Sequence, residues 1–181
     1  SSVPTRQGYG DWLEALTWMS DNLGDDAVVA SWWDYGYWIT DVANKTTIVD
    51  NSTINATQVA QIALMFLSNE TQALPILQRY GATHIVVFTT IPLAQRFRQP
   101  IYFGEEVKWI WMAEIAGLNR SEIEDPSPKF TTIPMPKDNL VLSTLIYYGI
   151  FREYVAWGGI PVPKHFELAF ASSNDLVFVY R

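Results

Sequence analysis

Ala27-Val28-Val29-Ala30-Ser31-Trp32-Trp33-Asp34-Tyr35-Gly36-Tyr37-Trp38 sets a short apolar run against an aromatic stretch built around one carboxylate. Ala27 to Ser31 fits a buried strand. The aromatics therefore begin where a strand ends, the usual place for a binding loop. Each aromatic ring can bury about 150–250 Å², whereas a carboxylate resists burial without a partner. Asp34 offers acceptor oxygens and each indole offers one N–H donor. That inventory suits holding a small hydroxyl or amide group. It equally suits a buried aspartate braced by Trp and Tyr, and residue types alone leave both readings open.

Working outward, Trp12, Leu16, Met19 and Leu23 recur at helical spacing, and Gly24 closes that helix. Tyr37 to Val42 fits a short helix and β-branched Thr46 to Asp50 a second strand. Asp50-Asn51-Ser52-Thr53 is turn chemistry, and Asn55 caps a helix from Ala56 to Leu67. A further helix runs from about Glu70 to Tyr80, with Pro75 a local fault at which it can divide. His84 to Thr89 is a buried strand. Ile91 to Gln99, with Pro92 near its start and Pro100 after it, reads as a loop with some helical turn. Gly104 to Ala116 is helical, and Asp125 to Lys137, with four prolines, is an irregular connection. Leu140 to Tyr154 is helical again, until Gly158-Gly159, Pro161 and Pro163 break it. His165 to Ala171 and Asp175 to Tyr180 form a closing hairpin around Ser172-Ser173-Asn174. These elements predict a mixed α/β fold, with helices packed on a small mixed sheet and a late antiparallel hairpin.

At 181 residues the chain reads as one domain, residues 1–181, large enough for a real core. A formal net charge of −7 argues against nucleic acid and against electrostatic docking on an anionic membrane surface. The absence of cysteine excludes disulfides, thiol nucleophiles and zinc–thiolate sites. The longest apolar run, Ile62 to Leu67, is far too short to span a bilayer. As written the chain reads as soluble. Its abrupt start, with Arg6 to Asp11 leading straight into an amphipathic helix, reads as a piece of something longer. Asn44, Asn51, Asn55, Asn69 and Asn119 each begin an Asn-x-Ser/Thr acceptor sequon, five of the chain's eight asparagines. That excess favours an extracytoplasmic chain, although polar turns attract the same residues.

His84 and His165 lack metal-ligand spacing and read as satisfied sheet histidines. No Gly-x-Ser-x-Gly elbow, P-loop or Gly-x-Gly-x-x-Gly is present. Asp21, Asp25 and Asp26 read as solvated charges, and nothing points to a glycosidase carboxylate pair. On the helix at Gly104, Glu105, Lys108 and Met112 fall at i, i+3 and i+7 and share one face, with Trp109 and Trp111 elsewhere. The three can frame a site with a salt bridge and an adaptable thioether contact. They can equally be a weak surface ion pair over a core methionine.

Trp32-Trp33-Asp34-Tyr35-Gly36 matches the Trp-Trp-Asp-Tyr-Gly signature of the catalytic subunit of oligosaccharyltransferase, the membrane enzyme of asparagine-linked glycosylation. The segment from Thr46 to Thr57 resembles the same family, and Glu105-x-x-Lys108-x-x-x-Met112 is similar to its Asp-x-x-Lys-x-x-x-Met helix motif. Glu105 departs by one methylene from the usual Asp. The resemblance implies the soluble C-terminal domain of such an enzyme, of archaeal type. It implies transfer of a lipid-linked oligosaccharide to the Asn of Asn-x-Ser/Thr in an acceptor polypeptide, on the extracytoplasmic face of the membrane. In the family the aromatic signature, here Trp32, Trp33, Asp34, Tyr35 and Gly36, holds the Ser/Thr hydroxyl, and the motif carried by Glu105, Lys108 and Met112 lies beside it. On that pattern Met112 would touch the Thr methyl. The divalent ion, Mn2+ or Mg2+, and its acidic ligands belong to the membrane-embedded part, outside this chain. The isolated domain is therefore expected to be inactive, with no catalytic or metal-binding residue of its own. Two readings from other classes compete: a non-catalytic carbohydrate-binding module, and a structural ectodomain whose aromatic stretch is core.

Overall fold

The computed structural model describes residues 2–48 and 55–181, with side chains from residue 8 onward. Among these, eight α-helices pack on one five-stranded sheet. The order is α1 (Ser2–Asn22), β1 (Val28–Ala30), α2 (Gly36–Asp41), β2 (Thr46–Thr47), α3 (Ala56–Phe66), α4 (Glu70–Arg79), β3 (His84–Phe88), α5 (Ile91–Phe97), α6 (Glu105–Ile115), α7 (Arg120–Ile123), α8 (Val141–Phe151), β4 (Leu168–Ala171) and β5 (Val177–Tyr180). One 3₁₀ turn, Trp33–Tyr35, joins β1 to α2, and a second, Arg152–Trp157, extends α8. The turn at residues 50–53 and the last two residues of the strand expected over 46–50 lie outside the described residues, and β2 itself ends before Ile48.

The sheet runs β2-β1-β3-β5-β4, with β2, β1 and β3 parallel and β5 antiparallel to both β3 and β4. It is the expected mixed sheet with its late hairpin. Side chains alternate between the faces of β5. Tyr180 donates from its hydroxyl to Leu145 O of α8 at 2.6 Å, and Phe178 packs against Gly149. On the other face Phe170, paired with Val179, stacks on Trp18 of α1 at 5.3 Å. Helix α8 is buried nearly all round. Its polar residues bond back to the proline-rich connection, Ser143 to Pro136 O at 2.7 Å and Thr144 to Asp138 O at 2.8 Å.

Two local expectations give way. Pro75 does not divide α4, because Thr71, whose carbonyl it leaves unpaired, is solvent-exposed on the same face. Residues 91–97 form a full helix rather than a loop, since Pro92 falls in the first turn, where a missing N–H costs nothing. Helix α7 is short and was not foreseen. No helix among the described residues is long and apolar enough to cross a membrane.

Candidate functional site

The strand order reverses at β1: the chain leaves it for β2 on one side and returns to β3 on the other. In open α/β sheets the crevice outside the carboxyl ends of strands at such a point is where ligands bind. Trp32 to Tyr35 leaves the end of β1 there, and α6 starts beside the end of β3. Gly104 permits that approach, since a Cβ on it would meet Phe88 O and Thr89 Cα at 2.8 Å. The first two residues of α6 then tie it down. Glu105 accepts from the backbone N–H of Phe88, and Glu106 accepts from Thr90 N and Thr90 Oγ1, each at 2.6 Å.

One network joins the turn to the helix. Lys108 Nζ donates to Asp34 Oδ2 at 2.7 Å and to the Tyr35 hydroxyl at 2.8 Å. Tyr35 donates in turn to Glu105 Oε1 at 2.7 Å. The Tyr35 ring is clamped by Trp12 and Phe88, with centroids 4.6 and 5.8 Å away. Asp34 and Lys108 both stay partly exposed, at 31% and 24% of their side chains. Asp34 is thus neither sealed in the core nor remote from Lys108.

Burial sorts the remaining residues. Trp32 and Gly36 are buried, and Trp33 is half-buried. Glu105 is fully enclosed, and burial pushes its carboxyl up to about 8 against the pull of Lys108 and the hydrogen bonds from Tyr35 and Phe88. Burial likewise raises Glu106 and Tyr35. Met112 is wholly enclosed in the core. It does not line the open hollow of about 340 Å³ bounded by Trp32, Trp33, Asp34, Lys108, Trp111 and Ile115. Trp111 and Ile115 were not singled out from the sequence as site residues. The signal was present, because they follow Lys108 at the same i+3 and i+7 spacing that was traced from Glu105.

His84 lies in β3, whereas His165 lies outside a strand and pairs with Glu70 at 3.1 Å. Among the described residues no group of three or more His, Cys, Asp or Glu side chains could hold a metal ion.

Residues 25–80 match the family model of the STT3/PglB/AglB core domain. The subunit stt-3 of dolichyl-diphosphooligosaccharide–protein glycosyltransferase from Caenorhabditis elegans is 38% identical over 107 residues, covering 59% of this chain and 13% of that protein. The STT3B subunit from Oryza sativa subsp. japonica is 35% identical over 197 residues, covering 96% of this chain and 26% of that protein. The chain thus spans about an eighth to a quarter of the length of these curated relatives. The crystal structure of the C-terminal globular domain of an Archaeoglobus fulgidus oligosaccharyltransferase superposes with a TM-score of 0.59 at 24% identity, covering 94% of this chain and 96% of that one. Two structures of another oligosaccharyltransferase from that organism also share the fold. One is in complex with Zn and sulfate (TM-score 0.61, 17% identity, 90% of this chain and 25% of that one). The other is tethered with an acceptor peptide containing the NVT sequon (TM-score 0.57, 16% identity, 90% and 23%).

Proposed function

We propose that this chain, homologous to the STT3 subunits of dolichyl-diphosphooligosaccharide–protein glycosyltransferases and similar in fold to an archaeal C-terminal globular domain, is the acceptor-recognition domain of an oligosaccharyltransferase. Residues 1–181 are then one C-terminal domain of a longer membrane enzyme, displayed on the extracytoplasmic face. The whole enzyme moves a lipid-linked oligosaccharide onto the asparagine of Asn-x-Ser/Thr. Its divalent ion, Mn2+ or Mg2+, and the donor lipid are held by parts outside this chain, and the isolated domain is inactive.

The observation that carries this reading is the junction of two segments 74 residues apart, Asp34 and Lys108, at the mouth of one hollow. Lys108 occupies Asp34 Oδ2 and fixes the carboxylate plane, leaving Oδ1 to accept from a Ser or Thr hydroxyl. The indole N–H groups of Trp32 and Trp33 are the donors available to that hydroxyl's own oxygen. Tyr35 holds Lys108 in place and is itself held by Glu105, so Glu105 acts as a positioning residue and does not touch the acceptor. Gly36 starts α2 close behind the turn. A site whose polar groups lose their partner when the hydroxyl is missing can discriminate roughly 10⁴-fold.

The test is glycosylation of an Asn-Ala-Thr peptide by the full-length parent. Asp34→Ala is expected to abolish acceptor use, and Lys108→Ala to cut it sharply. Undiminished glycosylation by the Asp34 variant would overturn the assignment.

A further inference from the structure

Helix α6 buries Trp109, Met112 and Ala113 and half-buries Val107 and Ile110. Trp111 and Ile115 do the opposite, with 64% and 43% of their surface exposed. Both line the hollow at Asp34. They continue the row begun by Lys108 along one helix face, and packing of the domain does not account for them. The charges beside them, Lys108 and Asp34, already satisfy one another. An exposed apolar wall running away from a paired polar anchor is what a second, apolar subsite requires.

We propose that Trp111 and Ile115 bind an apolar side chain carried by the second residue after the hydroxyl-bearing residue of the acceptor; this rests on the acceptor reading above and deepens it. The register follows from two rises. An α-helix advances about 1.5 Å per residue, which places Trp111 roughly 4.5 Å and Ile115 roughly 10.5 Å beyond Lys108 along α6. An extended peptide advances about 3.3 Å per residue and returns to the same face every second residue. The side chain two positions beyond the hydroxyl therefore lies about 6.6 Å along, between the two. The intervening residue points away from the wall. In this register the segment that follows the hydroxyl runs along α6, and the reacting asparagine turns toward catalytic parts outside this chain.

Two acceptors, Asn-Ala-Thr-Ala-Leu and Asn-Ala-Thr-Ala-Gly, test this with the full-length enzyme. The KM for the first is expected to be about tenfold lower, the scale of one modest apolar contact. Moving the leucine one position forward, Asn-Ala-Thr-Leu-Ala, removes the gain. In Trp111→Ala, and independently in Ile115→Ser, the Leu and Gly acceptors converge in KM. A wild-type enzyme indifferent to that position overturns the inference. So does a variant that keeps the ratio, or one that weakens both acceptors in proportion, as it would if α6 packed on another part of the enzyme. Asp34→Ala separates the two claims. If that variant still glycosylates, the acceptor reading itself fails. If it is dead while Trp111→Ala keeps the leucine preference, only the subsite fails.

Discussion

A carboxyl group removed from water holds its proton, and at Glu105 burial outweighs an ammonium and two hydrogen-bond donors nearby. The folded protein keeps that proton up to about pH 8, whereas the unfolded chain releases it near the ordinary 4.5. The stability linked to Glu105 is therefore complete below about pH 4.5, falls as pH rises toward 8 and is level beyond it. Glu106, also raised by burial, acts in the same direction. Urea unfolding across that window should show stability declining with pH, and Glu105→Gln should make the decline shallower. Stability that climbs with pH, or a slope unchanged in the variant, would contradict this. Lys108 is the opposite case. Its pair with Asp34 is partly exposed, so Lys108→Met should change stability by no more than about 1 kcal/mol. Acceptor use by the full-length enzyme should nonetheless fall at least tenfold, which a role in stability alone would not produce. The spacing of Glu105, Lys108 and Met112 was legible in the sequence, but their depth was not. Periodicity places residues on a helix face, and only the neighbours decide which side of that face is core.

Among elements, α6 depends most on a single backbone position. Its approach to the end of β3 uses the hydrogen atom of Gly104 as clearance. Gly104→Ala should destabilise the domain by about 1–3 kcal/mol, the usual cost of overpacking. It should also weaken acceptor use by displacing Lys108. A thermal melt and an acceptor titration check the two together, and a melt unchanged from the wild type would argue against so close a contact. Most helices and strands were readable, because apolar periodicity and turn residues agreed along the chain. The misreadings came from proline, whose effect depends on its place in the turn and on whether the freed carbonyl reaches water. The sequons have a second physical reading at this scale. Asn55, Asn69 and Asn119 cap α3, α4 and α7, accepting from Gln58, Gln72 and Ser121. Asn before a helix start is favoured for capping as well as for glycosylation.

For the whole molecule, the sequence could supply the strands but not their order, since adjacency of β1 with β3, and of the turn after β1 with α6, is a long-range fact. Residue chemistry at Asp34 left a hydroxyl grip and a structural brace equally open. Resemblance to a known motif pair pointed to the grip, and the fold brings Asp34 and Lys108 to 2.7 Å at the open end of the sheet. The most direct measurement replaces the acceptor threonine by α-aminobutyrate, which keeps the methyl and loses the hydroxyl. Its kcat/KM would be compared with that of the threonine peptide in the full-length wild type and in Asp34→Asn. The account predicts roughly 10⁴-fold discrimination by the wild type, collapsing in the variant. Equal discrimination in both proteins would contradict it, because the hydroxyl would then be read somewhere other than Asp34.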